Sequence, residues 1–320
     1  MRYAIALVAF FGFVNALPAQ AQQYPAKPIR LIVPFVAGGS ADVLSRVLAQ
    51  PLNQQYGQQV VVENRPGSGG HVGAEAAAHA APDGYTIVFG TIGIHAAYAI
   101  YSKLSYDPAR DLQAVALYAD VPCVLIVHPS VPARTVREFI ALAKQNPGRL
   151  NIGCNNIGST QQLASELFKS MAGIEAQVVP FKAISGLLTA LRSGEVHIVI
   201  ELAAPVMQQI RSNAVKALAI GSKERFVGLP GVPTVAEGGV PGYQASSWNG
   251  VSVPARTPRP VIDRLYREFA AAIAMPDVRQ RLQDMGIDPR AYTPEQTREL
   301  MISDIAKWKA VIERANIPRQ

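Results

Sequence analysis

Cysteine is scarce. The 320 residues hold two, Cys123 and Cys154, with no C-x-x-C between or around them. Two cysteines make no disulfide framework, and without paired C-x-x-C spacing neither a zinc site nor a thioredoxin-type pair has support. Either a single bridge or two buried thiols fits. Charged residues are also few, at 17%, and the net charge of +7 is scattered rather than gathered into a Lys/Arg run. With no basic run and no aromatic interleaving, no nucleic-acid partner is expected. A mild positive field suits anionic small molecules, and a plain solvated surface fits equally well.

The motif record is equally thin. No G-x-G-x-x-G follows the first apolar run, and no G-K-[ST] follows any glycine loop, so a dinucleotide fold and a P-loop are excluded. No G-x-S-x-G is present, since Ser40 is followed by Ala41 and Asp42. His71, His79, His95, His128 and His197 form no H-E-x-x-H and no metal spacing. No metal and no cofactor is expected, and a hydrolase would need a triad assembled across the fold. His197 reads as a core histidine. His71 and His95, just after strand ends, are the two that belong near a site.

Long apolar runs are missing after the first 23 residues. The opening "MRYAIALVAFFGFVNALPAQAQQ" has one cation, Arg2, an apolar run from Tyr3 to Val14, and the small-x-small Ala19-Gln20-Ala21. That is the layout of a secretory signal peptide over residues 1–21. The run is too short to span a bilayer, which takes about 20 residues. The mature chain is then expected to start near Gln22 and to work in the periplasm.

What is present is alternation. Short β-rich runs at 29–35, 59–64, 85–90, 124–129, 150–153, 176–181, 196–200 and 216–221 alternate with helical spacing at 41–56, 71–80, 135–145, 160–172, 184–193 and 203–212. Such alternation predicts βαβ units and an α/β fold with mostly parallel sheets flanked by helices. Residues 224–260 are rich in Pro and Gly, with a strand plausible in "ASSWNGVSV"; helices follow at 259–274, 275–284 and 294–314. Two lobes are expected: residues 22–120 with 246–320, and 121–245.

Three strand-to-helix turns are glycine-rich or polar: "GGSAD" (38–42), "RPGSGGHVG" (65–73) and "GCNNIGST" (153–160). Each offers backbone N–H groups at a helix N-terminus, where the dipole favours an anion. Ligands in open α/β sheets sit at the carboxyl ends of strands. Each turn is also explicable as a plain turn, with Ser40 and Thr160 as ordinary caps. Asp42 could cap or meet a ligand donor. Lys182 could offer an ammonium to a carboxylate or be a surface lysine, and Glu201 could face the cleft.

Longer stretches carry a resemblance. "YPAKPIRLIVPFVAGGSADVLSRVLAQPL", "VVVENRPGSGGHVGAEAAAHAAPDGYTIVFGT", "LSYDPARDLQAVAL", "VHPSVPARTV", "LPGVPTVAEGGVPGYQASSW" and "PARTPRPVIDRL" make the chain similar to the periplasmic substrate-binding proteins of tripartite tricarboxylate transporters, the Bug family. The resemblance implies a two-lobed Venus flytrap fold without enzymatic activity. It implies a small organic carboxylate held between the lobes and membrane transporter subunits as partners, the chain itself being a monomer. The implied ligand set is Ala37, Gly38, Gly39, Ser40, Ala41 and Asp42 in one lobe with Thr91, and Gly158, Ser159, Thr160, Phe181, Lys182 and Glu201 in the other part of the cleft. The family's usual Ser-x-Gly-x-Gly-Thr loop and its His are replaced here at Cys154, Asn156, Ile157, Ser159 and Gln162. Its Asp-Asn is Glu201-Leu202, and its Asn-Pro is Ala97-Tyr98. Ile157, Leu202 and Tyr98 lean toward a ligand with an apolar or aromatic body. Two other functions fit the residues: an exported hydrolase acting on a carboxylate ester, and a ligand-sensing component of a signalling system.

Overall fold

A computed structural model describes residues 24–96, 98–101, 103–155 and 158–319. The expected signal segment, Ala97, Asn156 and Ile157 lie outside them.

The strands are β1 (Ile29–Val33), β2 (Val60–Asn64), β3 (Thr86–Thr91), β4 (Leu112–Val127), β5 (Leu150–Asn155), β6 (Ala176–Phe181), β7 (Ile198–Leu202), β8 (Lys216–Ile220), β9 (Ser246–Pro254) and β10 (Asp288–Tyr292). The helices are α1 (Ser40–Tyr56), α2 (His71–Ala78), α3 (Ile92–His95), α4 (Val136–Gln145), α5 (Thr160–Ala172), α6 (Ile184–Ser193), α7 (Ala203–Arg211), α8 (Arg259–Ala274), α9 (Pro276–Asp284) and α10 (Pro294–Arg314). One sheet runs in the order β2-β1-β3-β9-β4-β7-β5-β6, with β8 and β10 both added against β4.

Parallel pairing holds in the outer parts: β1 with β2 and β3, and β5 with β6 and β7. Every antiparallel pair involves β4 or β9. The sheet is therefore mixed, with the expected βαβ units at both ends and two long strands stitching them together.

β4 is much longer than the apolar stretch 124–129 suggests, because it serves both halves of the sheet. Residues up to Pro122 pair with β9, and from Cys123 onward β4 pairs with β7. Pro122 has no N–H to donate, and it falls at this change of partner, where a ladder bond is most easily forgone.

The cores follow the same division. One cluster gathers α1, α8 and α9 against one face of the first half. A smaller one lies under α2. A third packs α6 and α7 against β4 and β7. The largest crosses the junction: Ile92 and Ile100 from the first half, Phe139 and Phe168 from the second, and Trp308, Val311 and Ile312 of α10. α10 starts in a capping box at Thr293 and Gln296. Thr297 near its start accepts from the Leu117 N–H, and Arg314 at its end reaches Ser170 on α5 at 2.8 Å, so this helix is fastened to both halves.

Cys123 and Cys154 are both buried and free, which resolves the choice in favour of two thiols. Burial raises both thiols, Cys154 to about 12, so neither is reactive at neutral pH.

Candidate functional site

Strand direction places the site. β3 is antiparallel to β9, and β9 to β4, so β3 ends, at Thr91, pointing along β4 toward the second half. β7 is antiparallel to β4 and ends, at Leu202, pointing back toward the first half. The carboxyl edges of the two halves thus face each other. Thr91 aligns with Asn249 and Ala119, and Glu201 with Val124, five residues apart on β4. At about 3.3 Å per residue that separates the two rows by roughly 17 Å.

The loop from β1 to α1 lies on the first edge. Gly38 sits at φ +78°, a conformation open to glycine and strained for other residues. Its N–H donates to Asp42 Oδ2 at 2.9 Å. Asp42 is buried and also pairs with Arg46 at 2.9 Å. Arg46 holds its carboxyl below the usual range, assisted by the Gly38 N–H. Asp42 is therefore engaged in shaping the loop, and the Gly38 N–H is not free for a ligand. Gly39, not Ser40, occupies the N-cap, with no side chain to cap with. Ser40 is the first helical residue. Among the described residues, no acceptor meets the N–H groups of Ser40, Ala41 and Asp42. Ala37 and Ser40 are exposed beside them.

The loop entering α5 lies on the opposite edge. Gly158 is at φ +77°, and its N–H donates to Gln162 Oε1 at 2.6 Å. Ser159, not Thr160, is the N-cap. Its hydroxyl accepts from the Gln162 N–H and donates to the Asn155 carbonyl. Thr160 is the first helical residue. Any side chain at Gly158 would run into Ile100, so here the two halves touch.

Glu201 is buried at the end of β7, bonded to the Gln161 amide and the Leu202 N–H. Burial lifts its carboxyl to about 7. Phe181, level with Asn155 on the adjacent strand, is half-buried, and Lys182 after it is exposed. Leu202 packs into two of the cores rather than standing free for a ligand.

The histidines are structural in their contacts. His71 bonds Tyr106 at 2.8 Å, and His95 meets Ser252 at 3.2 Å while stacking on Trp248. Burial lowers them to about 4 and about 3, so both are neutral. His197 is satisfied by the Asn151 N–H. Sequence reading missed Gln161 and both glycine clasps. The detectable signal was a polar side chain four residues after a loop glycine.

The profile of the tripartite tricarboxylate transporter family receptor, TctC, matches residues 44–317. The chain belongs to this receptor family. Protein BugT of Bordetella pertussis is 37% identical over 299 residues, covering 93% of this chain and 92% of BugT. Among solved structures, R. palustris Rpa4515, determined with adipate, is 35% identical with a TM-score of 0.79, over 92% of this chain and 99% of that one. MatC from Rhodopseudomonas palustris, determined with bound malate, is 31% identical with a TM-score of 0.74, over 90% and 100%. This receptor thus has the two-lobed binding-protein fold, and no helix among its described residues is long and apolar enough to cross a membrane.

Proposed function

We propose that the mature chain works in the periplasm as a monomer, traps an organic carboxylate between two lobes, and passes it to a tripartite tricarboxylate-type membrane transporter. Lobe one comprises residues 22–120 and 246–320 and lobe two 121–245. The change of strand partner between Pro122 and Cys123 supports that division. α10 then acts as a strap across the hinge, and the signal-like first 21 residues support export.

One observation carries the reading: the α1 N-terminus is uncapped and faces the opposing edge. Its free N–H groups, with the Ser40 hydroxyl, form the carboxylate seat, and the helix dipole favours the negative charge. Thr91 lies across the same edge, and Gly158, Ser159, Thr160, Phe181, Lys182 and Glu201 close from the other side. Relatives determined with adipate and malate support the ligand class. An esterase reading is less well served, because no histidine bonds Ser40 among the described residues.

Calorimetry and thermal melts against aliphatic and aromatic carboxylates test this. The expected result is saturable one-to-one binding that stabilises the fold by about 2.7 kcal/mol at a hundredfold excess over Kd. No binding by any carboxylate, or steady turnover of a carboxylate ester, would overturn it.

A further inference from the structure

Sequence reading places the turn at 65–73 and His71 near a site, and the proposed cleft uses neither. Both border a cavity of their own. It lies in the first half of the molecule, between α2 and the stretch 101–106, and has a volume of about 430 Å³. Small-molecule sites usually measure about 300–1,000 Å³. None of the residues that line it belongs to the proposed carboxylate set. Its walls are of two kinds. Val72, 46% exposed, joins Tyr101 and Leu104 in an apolar surface. Glu75 and Lys103 bring opposite charges. Among the described residues neither forms an ion pair, with the other or with any further group. A carboxylate and an ammonium left unpaired around one apolar hollow are complementary to a ligand that carries both charges.

The third polar group is His71, only 3% exposed. Its Nδ1 and the Tyr106 hydroxyl are 2.8 Å apart. Burial, together with the Glu75 charge, pushes the Tyr106 phenol up, so its hydroxyl keeps its proton. That hydroxyl has no other acceptor among the described residues, so it donates to Nδ1. The neutral ring then carries its own proton on Nε2, a buried atom with no partner among the described residues. Buried donors are rarely left so. This one belongs to a ring that lines a cavity, where a ligand atom can supply the acceptor.

We propose that this cavity is a second ligand site, separate from the cleft, and that it takes a small zwitterion with an apolar body. The ligand's ammonium meets Glu75. Its carboxylate meets Lys103 and the His71 N–H, and its body packs on Val72, Tyr101 and Leu104. An amino acid with an apolar side chain has that chemistry. Charge-assisted hydrogen bonds form at both ends, and these are the stronger kind. A simple anion leaves Glu75 facing a like charge, and a simple cation leaves Lys103 in the same position. The site does not depend on the receptor reading, and its test keeps the two apart.

The test is calorimetry of L-phenylalanine into the mature chain at pH 7, with and without saturating adipate. One-to-one binding that adipate does not displace is the expected result. 3-Phenylpropionate lacks the ammonium and L-phenylalanine amide lacks the carboxylate. With adipate present, each should bind at least about tenfold more weakly than phenylalanine. Glu75→Gln and Lys103→Met should each weaken phenylalanine binding by about tenfold, while adipate binding and the melting temperature stay nearly unchanged. His71→Phe should weaken it too, and if that variant does not fold, the other two decide. No phenylalanine binding at about 10 mM, a concentration that should fill a site of this kind with a ligand of this size, overturns the proposal. Displacement by adipate also overturns it, since the ligand then sits in the cleft. So does full affinity in both Glu75→Gln and Lys103→Met. Equal binding of 3-phenylpropionate in the presence of adipate overturns the zwitterion. Phenylalanine binding as expected, in a chain that binds no carboxylate in the cleft, keeps this site and overturns the receptor reading.

Discussion

The loop that opens α1 and the loop that opens α5 are built to one plan. Each starts on a glycine at positive φ, 78° in one and 77° in the other. In each, that glycine's N–H is clasped by the side chain four residues on, Asp42 or Gln162. They part at the cap. Gly39 has nothing to offer the first-turn N–H groups, whereas the Ser159 hydroxyl takes the Gln162 N–H. Similar backbone thus leaves the N–H groups of Ser40, Ala41 and Asp42 without an acceptor at α1, but only those of Thr160 and Gln161 at α5, among the described residues. Under the proposed function, the second lobe would meet a ligand through fewer backbone donors and more through side chains such as Lys182.

The strongest way to break this comparison is proline at the first helical position of each loop. Proline fits there, where the N–H has no helical partner. The residue before it is extended in both cases, at ψ 169° for Gly39 and 157° for Ser159, as a pre-proline residue requires. Ser40→Pro deletes an N–H and a hydroxyl from the seat while keeping the helix. Two hydrogen bonds to a carboxylate are worth about 3 kcal/mol or more, so affinity should drop at least about a hundredfold. Thr160→Pro should cost less than about tenfold. Calorimetry with adipate measures both, and equal losses would show that the two turns serve the ligand alike.

Much of the fold was legible because apolar periodicity and turn chemistry agree through the βαβ units; α5 (160–172) and α6 (184–193) fall on their expected bounds. Of the two long strands, β9 falls where "ASSWNGVSV" was expected to be extended, whereas most of β4 was not legible. Asp120 and Pro122 interrupt the pattern of β4, and only the exchange of partners beside Pro122 makes them acceptable. β10 contains Pro289 and a break in register, so it carries no strand signature of its own. At the site, strand ends and glycine turns were visible from the residues. Which residue caps was not, because a one-residue shift moves the duty from Ser40 to Gly39 and from Thr160 to Ser159. The engagement of Asp42 with Gly38 and Arg46 was hidden for the same reason: the clasp exists only once Gly38 adopts positive φ.

Alanine at the two glycines should separate the loops next. Gly38→Ala meets no atom within 4 Å and pays only for the left-handed backbone, about 1–2 kcal/mol. Gly158→Ala carries the same strain and also strikes Ile100 of the opposite lobe. It should be the more destabilising by about 1 kcal/mol, an overpacking cost, in urea unfolding. A smaller effect is expected at the caps. Ser159→Ala should lose about 1 kcal/mol of stability, whereas Gly39→Ser should change stability by a few tenths of a kcal/mol. Gly39→Ser should nevertheless weaken adipate binding, since the new hydroxyl would take an N–H that the proposed seat offers to the ligand. Unchanged affinity in that variant would mean the Asp42 N–H lies outside the seat.

The smallest effect concerns charge in the first loop's clasp. Gln162 shows that a neutral oxygen suffices to hold the glycine N–H, so Asp42→Asn should keep the loop. What it removes is the ion pair with Arg46, whose side chain is 55% exposed and well screened. The expected loss is small in low salt and smaller still in high salt. Because Arg46 lowers the Asp42 carboxyl in the folded chain, the pair's contribution is complete above the ordinary aspartate range and disappears as pH falls below about 4. Wild type and Asp42→Asn should therefore converge in stability at low pH, and denaturant midpoints at pH 3 and pH 7 check it. Removing a negative charge beside the anion seat should at the same time tighten adipate binding slightly at pH 7. Weaker binding instead would mean that the ionised Asp42 carboxylate, through Gly38 and Arg46, is needed to hold the loop in the shape the ligand meets.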